Sequence, residues 1–289
     1  MGYTIVTDSS CNLSSKQIDD YGLEIISLKY FAGDKAFESY IKGSDPDFKA
    51  FYDMARKKEP LSTTLASPEL CEQVFERVLS SGSDLIYIGF SSGLSGTYQV
   101  AHTMLEDLKE KYPERKIYDV DSLAASLGQG LLVHYAVNKK NEGATIEELY
   151  DWLMENRLKL CHWFTVDDLF YLKRGGRVSG TAAVMGTVLS IKPVMHVDDN
   201  GKLIPKAKVI GRKRAIEAMV EKMKETAINP AEQTVFISHG DCVEDAELLA
   251  DLVKKELNVK EVFIHYIEPV IGCHSGPGTL ALFFMGTRR

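Results

Sequence analysis

No stretch of this 289-residue chain approaches the roughly 20 consecutive apolar residues that a membrane span requires. Residues 1–10 lack the basic start and apolar stretch of a secretory signal. The chain is therefore expected in the cytoplasm, without stable membrane insertion. Cysteine is sparse: Cys11, Cys71, Cys161, Cys242 and Cys273 are odd in number, scattered and never in CxxC spacing. That argues against a disulfide framework and a structural zinc site, and no metal is expected. Basic residues are outnumbered, 34 Lys and Arg against 41 Asp and Glu, for a net charge of −7 and a pI near 5.6. Nucleic-acid binders concentrate cations on one face, so nucleic acid is not an expected partner. The GxxxxGKS/T phosphate loop and the HExxH zinc motif are also missing.

What is present is a globular composition, 45% hydrophobic and 26% charged, long enough for two packed cores. Tyr3–Asp8 reads as a short buried strand, followed by a loop and a helix capped at Ser14 or Ser15. Residues 23–30 are strand-like, 46–58 and 68–81 helical, and 84–90 form a strongly apolar strand. A helix to about residue 112, a strand over 116–120 and helices over 123–141 and 146–156 continue the alternation. Such alternation implies a doubly wound parallel sheet. After Cys161 the pattern changes: residues 192–197 and 203–210 flank Asn200-Gly201 and spell a β-hairpin. A helix over 214–226, a strand over 234–238, a helix over 243–257 and a strand over 261–267 complete a second unit. The expectation is an α/β protein of two domains. The first, 1–160, holds a parallel sheet; the second, 161–289, holds a mixed sheet.

Polar groups gather in a few segments. Residues 60–68 offer Ser62, Thr63 and Thr64 ahead of a helix whose start Ser67 and Pro68 set, although a serine cap alone explains them. Residues 91–97, with Ser95 and Gly96, follow a buried strand and precede a helix, so their amides can face an anion at the ligand edge of an open sheet. Residues 271–279 join His274 and Ser275 to glycines that admit close backbone approach. Lys173-Arg174-Gly175-Gly176-Arg177, with a small-residue helix over 180–186 and the basic run from Arg212 to Arg214, suits either phosphate or solvent. His102, His134, His162 and His265 lack ligand spacing and read as packing or surface residues.

The order of four strings carries more information than any one: Thr7-Asp8-Ser9-Ser10, Leu94-Ser95-Gly96-Thr97-Tyr98-Gln99, Leu172-Lys173-Arg174-Gly175-Gly176-Arg177 and Gly272-Cys273-His274-Ser275-Gly276-Pro277-Gly278-Thr279. In that order and spacing the sequence resembles the DegV family over essentially its whole length. The resemblance implies a long-chain fatty acid, palmitate-like or oleate-like, held in a tunnel between two α/β domains, with no further cofactor and no catalysis by the chain itself. It also implies, in some bacteria, presentation of the acyl carboxylate to a separate fatty-acid kinase that forms the acyl phosphate. By the same resemblance Thr63, Ser95, His274 and Ser275 bind the carboxylate and Ser62, Thr64 and Gly96 supply further contacts. Arg177 and Arg212 then lie near the phosphate or the kinase. The family loop reads Thr-Ser-Gln-Pro where this chain has Thr63-Thr64-Leu65-Ala66, which leaves the register at Thr63 open. Residues 182–189 and 280–285 are candidates to line the tunnel. The rival reading is a small-molecule hydrolase or phosphoryl-transfer enzyme using Ser95 or Cys273 with His274, and the lack of any nucleotide fingerprint weighs against it.

Overall fold

The computed structural model describes residues 2–178 and 190–289, so the helix expected over 180–186 and the lining candidates 182–189 lie outside the described residues. The chain opens with β1 (Tyr3–Asp8), α1 (Ser15–Asp20), β2 (Glu24–Ile26), β3 (Lys29–Ala32), β4 (Lys35–Glu38), α2 (Phe48–Arg56) and β5 (Leu61–Thr63). It continues through α3 (Pro68–Ser80), β6 (Asp84–Gly89), α4 (Thr97–Lys111), β7 (Ile117–Asp121), α5 (Leu127–Asn141) and α6 (Ile146–Asn156). Then follow β8 (Leu160–Thr165), α7 (Leu169–Arg174), β9 (Ile191–Val197), β10 (Leu203–Ile210) and α8 (Arg212–Thr226). The last elements are β11 (Thr234–His239), α9 (Val243–Leu257), β12 (Glu261–Tyr266), α10 (Pro269–Ser275) and β13 (Leu280–Met285).

The described residues form three sheets. β2-β1-β6-β7 is wholly parallel, β4-β3-β5 is a small antiparallel sheet, and β10-β9-β8-β13-β11-β12 is mixed, with β11 and β12 its one parallel pair. The central strand β6 is a continuous apolar run from Leu85 to Ile88 because both faces of the sheet are covered. Ile5, Ile86 and Ile88 pack toward α5 and α6, while Val6, Leu85 and Tyr87 pack toward α3 and α4. α5 is buried at every position from Leu127 to Val133, since it lies between the parallel sheet and Phe164, Phe236 and Phe283 of the mixed sheet. The far face of the mixed sheet carries α8 and α9 through Met219, Met223, Leu249 and Val253.

Several elements differ from the sequence reading. Residues 23–30 are not one strand: β2 joins the parallel sheet and β3 leaves it to pair with β4 and β5. Thr63 sits at the end of β5, and the glycine-rich segment from Ile271 to Ser275 is helical, ending in Gly276 at φ 77°. The α1 cap is Ser14, whose hydroxyl accepts from the Gln17 amide in a capping box. No helix among the described residues is long and apolar enough to cross a membrane.

Candidate functional site

A cavity of about 570 Å³ opens where the carboxyl ends of β1, β6 and β7 meet β5, α7, α10 and the inner face of the mixed sheet. Open α/β sheets place ligands at this edge, and the volume falls within the ordinary range for small-molecule sites. Along β13 the side chains alternate: Ala281 and Phe283 line the cavity, and Leu280, Leu282 and Phe284 pack into the core beneath α8 and α9.

Polar groups concentrate at the partly exposed end. Thr63 Oγ1 lies 2.9 Å from His274 Nε2, which brings together β5 and the last turn of α10. Burial, reinforced by the Arg177 and Arg174 charges, lowers the His274 pKa to about 4, so the ring is neutral at pH 7. A side chain on Gly175 would place its Cβ 2.4 Å from His274 Nδ1, so glycine here lets the turn after α7 close over the ring. Arg177 spans the opening, donating to the Leu94 carbonyl at 3.2 Å and to the Gly175 carbonyl. Ser95 Oγ donates to Thr97 Oγ1 at 3.0 Å and accepts from the Thr97 amide at 3.2 Å, fixing it at the start of α4. Ser275 is buried beside the cavity, and its hydroxyl has no hydrogen-bond partner among the described residues.

Ser62 and Thr64 also line the cavity on exposed backbone, together with Leu65. Gly96 does not; it caps α4, and a Cβ there would meet Leu65. Arg212 is likewise outside the lining. Its guanidinium donates to Asp245 Oδ2 at 2.8 Å and lies 3.8 Å from Asp167 Oδ1.

The inner wall contains Ser10, Ser126 and His162, none of which the sequence reading assigns to the site; in sequence His162 reads as a packing or surface residue. His162 Nδ1 donates to the Leu160 carbonyl at 3.2 Å and Nε2 accepts from the Ala125 amide at 3.3 Å, which fixes a neutral tautomer that burial also favours. Ser126 bonds Asn12 and Ser238. These two side chains are satisfied within the protein, so an apolar ligand can lie against them without stranding a donor. Ser126 holds φ 57° and ψ −145°, a conformation that costs a non-glycine residue on the order of 1–3 kcal/mol. No sequence pattern marks such strain.

A model described as the uncharacterised DegV family matches residues 3–287. The chain belongs to the DegV family. A DegV domain-containing protein of Clostridium perfringens is 44% identical over 286 residues, covering 98% of this chain and 97% of that one. Among solved structures, a fatty-acid-binding DegV family protein from Thermus thermophilus aligns with a TM-score of 0.88 at 26% identity, covering 99% of this chain and all of that one. A DegV lipid-binding protein from Thermotoga maritima aligns over the full length of both chains with a TM-score of 0.87 at 28% identity. The parallel and mixed sheets of this DegV chain thus follow the fold of those relatives.

The geometry gives the enzyme reading little. Cys273 is buried, its thiol pKa is pushed up by desolvation, and its sulfur faces the Ser62 carbonyl at 3.9 Å. Among the described residues neither Cys273 nor Ser95 hydrogen-bonds His274. Gly89-Phe90-Ser91-Ser92-Gly93 has the GxSxG spacing of a hydrolase elbow, a match that sequence reasoning overlooked. In this DegV chain Ser91 is fully buried and its hydroxyl donates to the Gly201 carbonyl at 2.9 Å, so it is a structural tie and not an exposed nucleophile.

Proposed function

We propose that the chain binds one long-chain fatty acid, palmitate-like or oleate-like, with its tail along the inner wall and its carboxylate at Thr63, Ser95, His274 and Ser275. The observation that carries this reading is the half-buried contact between Thr63 and a neutral His274 at the mouth of an otherwise largely apolar cavity. Burying about 16 carbons at ~0.8 kcal/mol per methylene favours binding by on the order of 12 kcal/mol gross. Ordering and immobilisation offset roughly 4–15 kcal/mol of that, so a preformed cavity is what makes net affinity feasible. An ionised head needs several hydrogen bonds when desolvated, and hydroxyls from two loops with an imidazole supply them. Arg174 and Arg177 add positive charge at the opening. The fatty-acid- and lipid-binding relatives support the same ligand class.

The protein acts as a cytoplasmic carrier in lipid transport and fatty acid metabolism, without catalysis of its own. It presents the carboxylate at the opening to a separate fatty-acid kinase, with Arg177 and Arg212 on the docking side. Hydroxyls and a histidine leave a head oxygen reachable where a bidentate arginine would enclose it. The division into carrier halves falls near residue 160, between the parallel-sheet and mixed-sheet parts. The test is titration of delipidated protein with palmitate and oleate, alongside the Thr63→Ala/Ser95→Ala variant. Saturable binding at one site that weakens in the folded double variant is expected. Equal affinity in both proteins overturns the head-group assignment.

A further inference from the structure

The guanidinium of Arg289 is outside the cavity lining yet makes four hydrogen bonds among the described residues, all to backbone carbonyls: Leu160 at 3.0 Å, Leu123 at 2.8 Å, Asp198 at 3.0 Å and Arg157 at 2.8 Å. The four carbonyls come from separate places: the loop after β7, the end of α6, the start of β8 and the turn between β9 and β10. Two of those places are parts of the cavity wall. The loop after β7 carries Ala125 and Ser126 into the cavity, and it is strained at two non-glycine positions, Leu123 at φ 50° and Ser126 at φ 57°. Backbone of this kind persists only where its surroundings over-determine it. The β9–β10 turn is flanked by Val197 and Leu203, a cross-strand pair that also lines the cavity.

From Arg289 the turn leads to the head-group loop. The Gly201 carbonyl of the turn accepts the Ser91 hydroxyl at 2.9 Å, and a Cβ on Gly93 would fall 2.3 Å from the Asn200 carbonyl, so turn and loop are in close contact. The Ser91 carbonyl in turn accepts the Leu94 and Ser95 amides, each at 3.1 Å. The turn is therefore held between Arg289 on one side and the Ser91–Ser95 loop on the other.

We propose that Arg289 is a positioning residue for ligand retention, a clamp that holds the β9–β10 turn and the strained loop after β7 against the head-group loop and keeps that wall of the cavity closed. The clamp rests on the fatty-acid reading for its consequence, slow release, but not for its geometry.

The experiment follows transfer of a fluorescent fatty acid from the protein to albumin. Arg289→Ala is expected to raise the release rate by about tenfold or more, as loss of bonds from a charged donor implies. Ser91→Ala is expected to raise it as well, and the double variant to fall short of the product, because the two residues act in series. Free guanidinium at low concentration should restore slow release in Arg289→Ala. Val253→Ala, in the core under α9, lowers the melting temperature without touching the clamp and should leave release unchanged. An unchanged release rate in Arg289→Ala, or an equal acceleration in Val253→Ala, overturns the proposal. Hydrogen exchange of residues 91–95 and 122–126 separates the two claims: with no fatty acid bound, faster exchange in Arg289→Ala supports the clamp and unaltered exchange refutes it. Failure of the wild type to bind the probe instead refutes the fatty-acid reading.

Discussion

Gly175→Ala isolates His274 without altering any side chain proposed to bind the ligand. Gly175 has φ −72° and ψ −10°, an ordinary helical conformation, so alanine fits the backbone and by itself would stabilise the chain by about 0.4–1 kcal/mol. The new methyl, however, would lie 2.4 Å from His274 Nδ1, and either the ring or the turn must move. Movement of the ring breaks its 2.9 Å contact with Thr63 and withdraws a donor from the carboxylate. A hydrogen bond to a charged group contributes about 1.5–3 kcal/mol, so the fatty-acid Kd should rise about 10- to 150-fold. Gly176→Ala is the matched control. Nothing lies within 4 Å of its Cβ position, but its φ of +74° makes alanine cost about 1–2 kcal/mol. It should lower the melting temperature and leave the Kd alone. Isothermal titration of delipidated proteins measures both. Unchanged affinity in a folded Gly175→Ala, or equal weakening in both variants, would refute the role given to His274.

Phe283 is almost fully buried between the cavity and α5, so Phe283→Ala should cost about 3–5 kcal/mol in chemical denaturation and shift preference toward bulkier or longer chains. Arg212→Ala, outside the cavity lining, should leave the fatty-acid Kd unchanged while slowing phosphorylation in a coupled kinase assay. For pH, burial holds His196, His239 and His274 at about 4, below the usual 6.5, so their contribution to stability is full above pH 6.5 and is lost as pH falls toward 4. Glu268, the α10 cap, is raised by burial from 4.5 to about 7; its contribution is full below 4.5 and lost as pH rises through 7. Urea melts of wild type and Glu268→Gln should therefore show wild type losing stability relative to the variant between about pH 5 and about pH 8, and a constant difference would contradict the assignment.

Much of the fold is legible because periodicity records burial. The helices Ile146–Asn156 and Val243–Leu257 follow from their apolar spacing, and the strand Asp84–Gly89 from its continuous apolar run, which two covered faces require. The small β4-β3-β5 sheet is hidden because β4 is exposed at all four positions and β5 spans only three residues. α10 is hidden for a different reason. Its glycines suggest a loop, yet Gly272 is inside the helix because a Cβ would fall 2.5 Å from the Phe51 ring. At the site, the hydroxyls, His274 and the basic turn stand out as clusters in sequence, and the family resemblance gives them a common purpose. Ser126 and His162 do not stand out, because each comes alone from a distant segment and only packing of the mixed sheet against α5 brings them to one wall, and Ser10 stands out as part of a family string without any sign that it faces a ligand. Arg289 is equally silent: its guanidinium binds four backbone carbonyls, and a carbonyl is present at every residue and so leaves no mark in the sequence.

The central claim is that the cavity holds one fatty acid, and native mass spectrometry of the freshly purified protein, followed by denaturation and mass identification of what is released, tests it directly. The account predicts a complex heavier than the chain by one long-chain fatty acid, which appears free after denaturation. A mass equal to the chain alone, and still unchanged after incubation with palmitate and oleate, would contradict it.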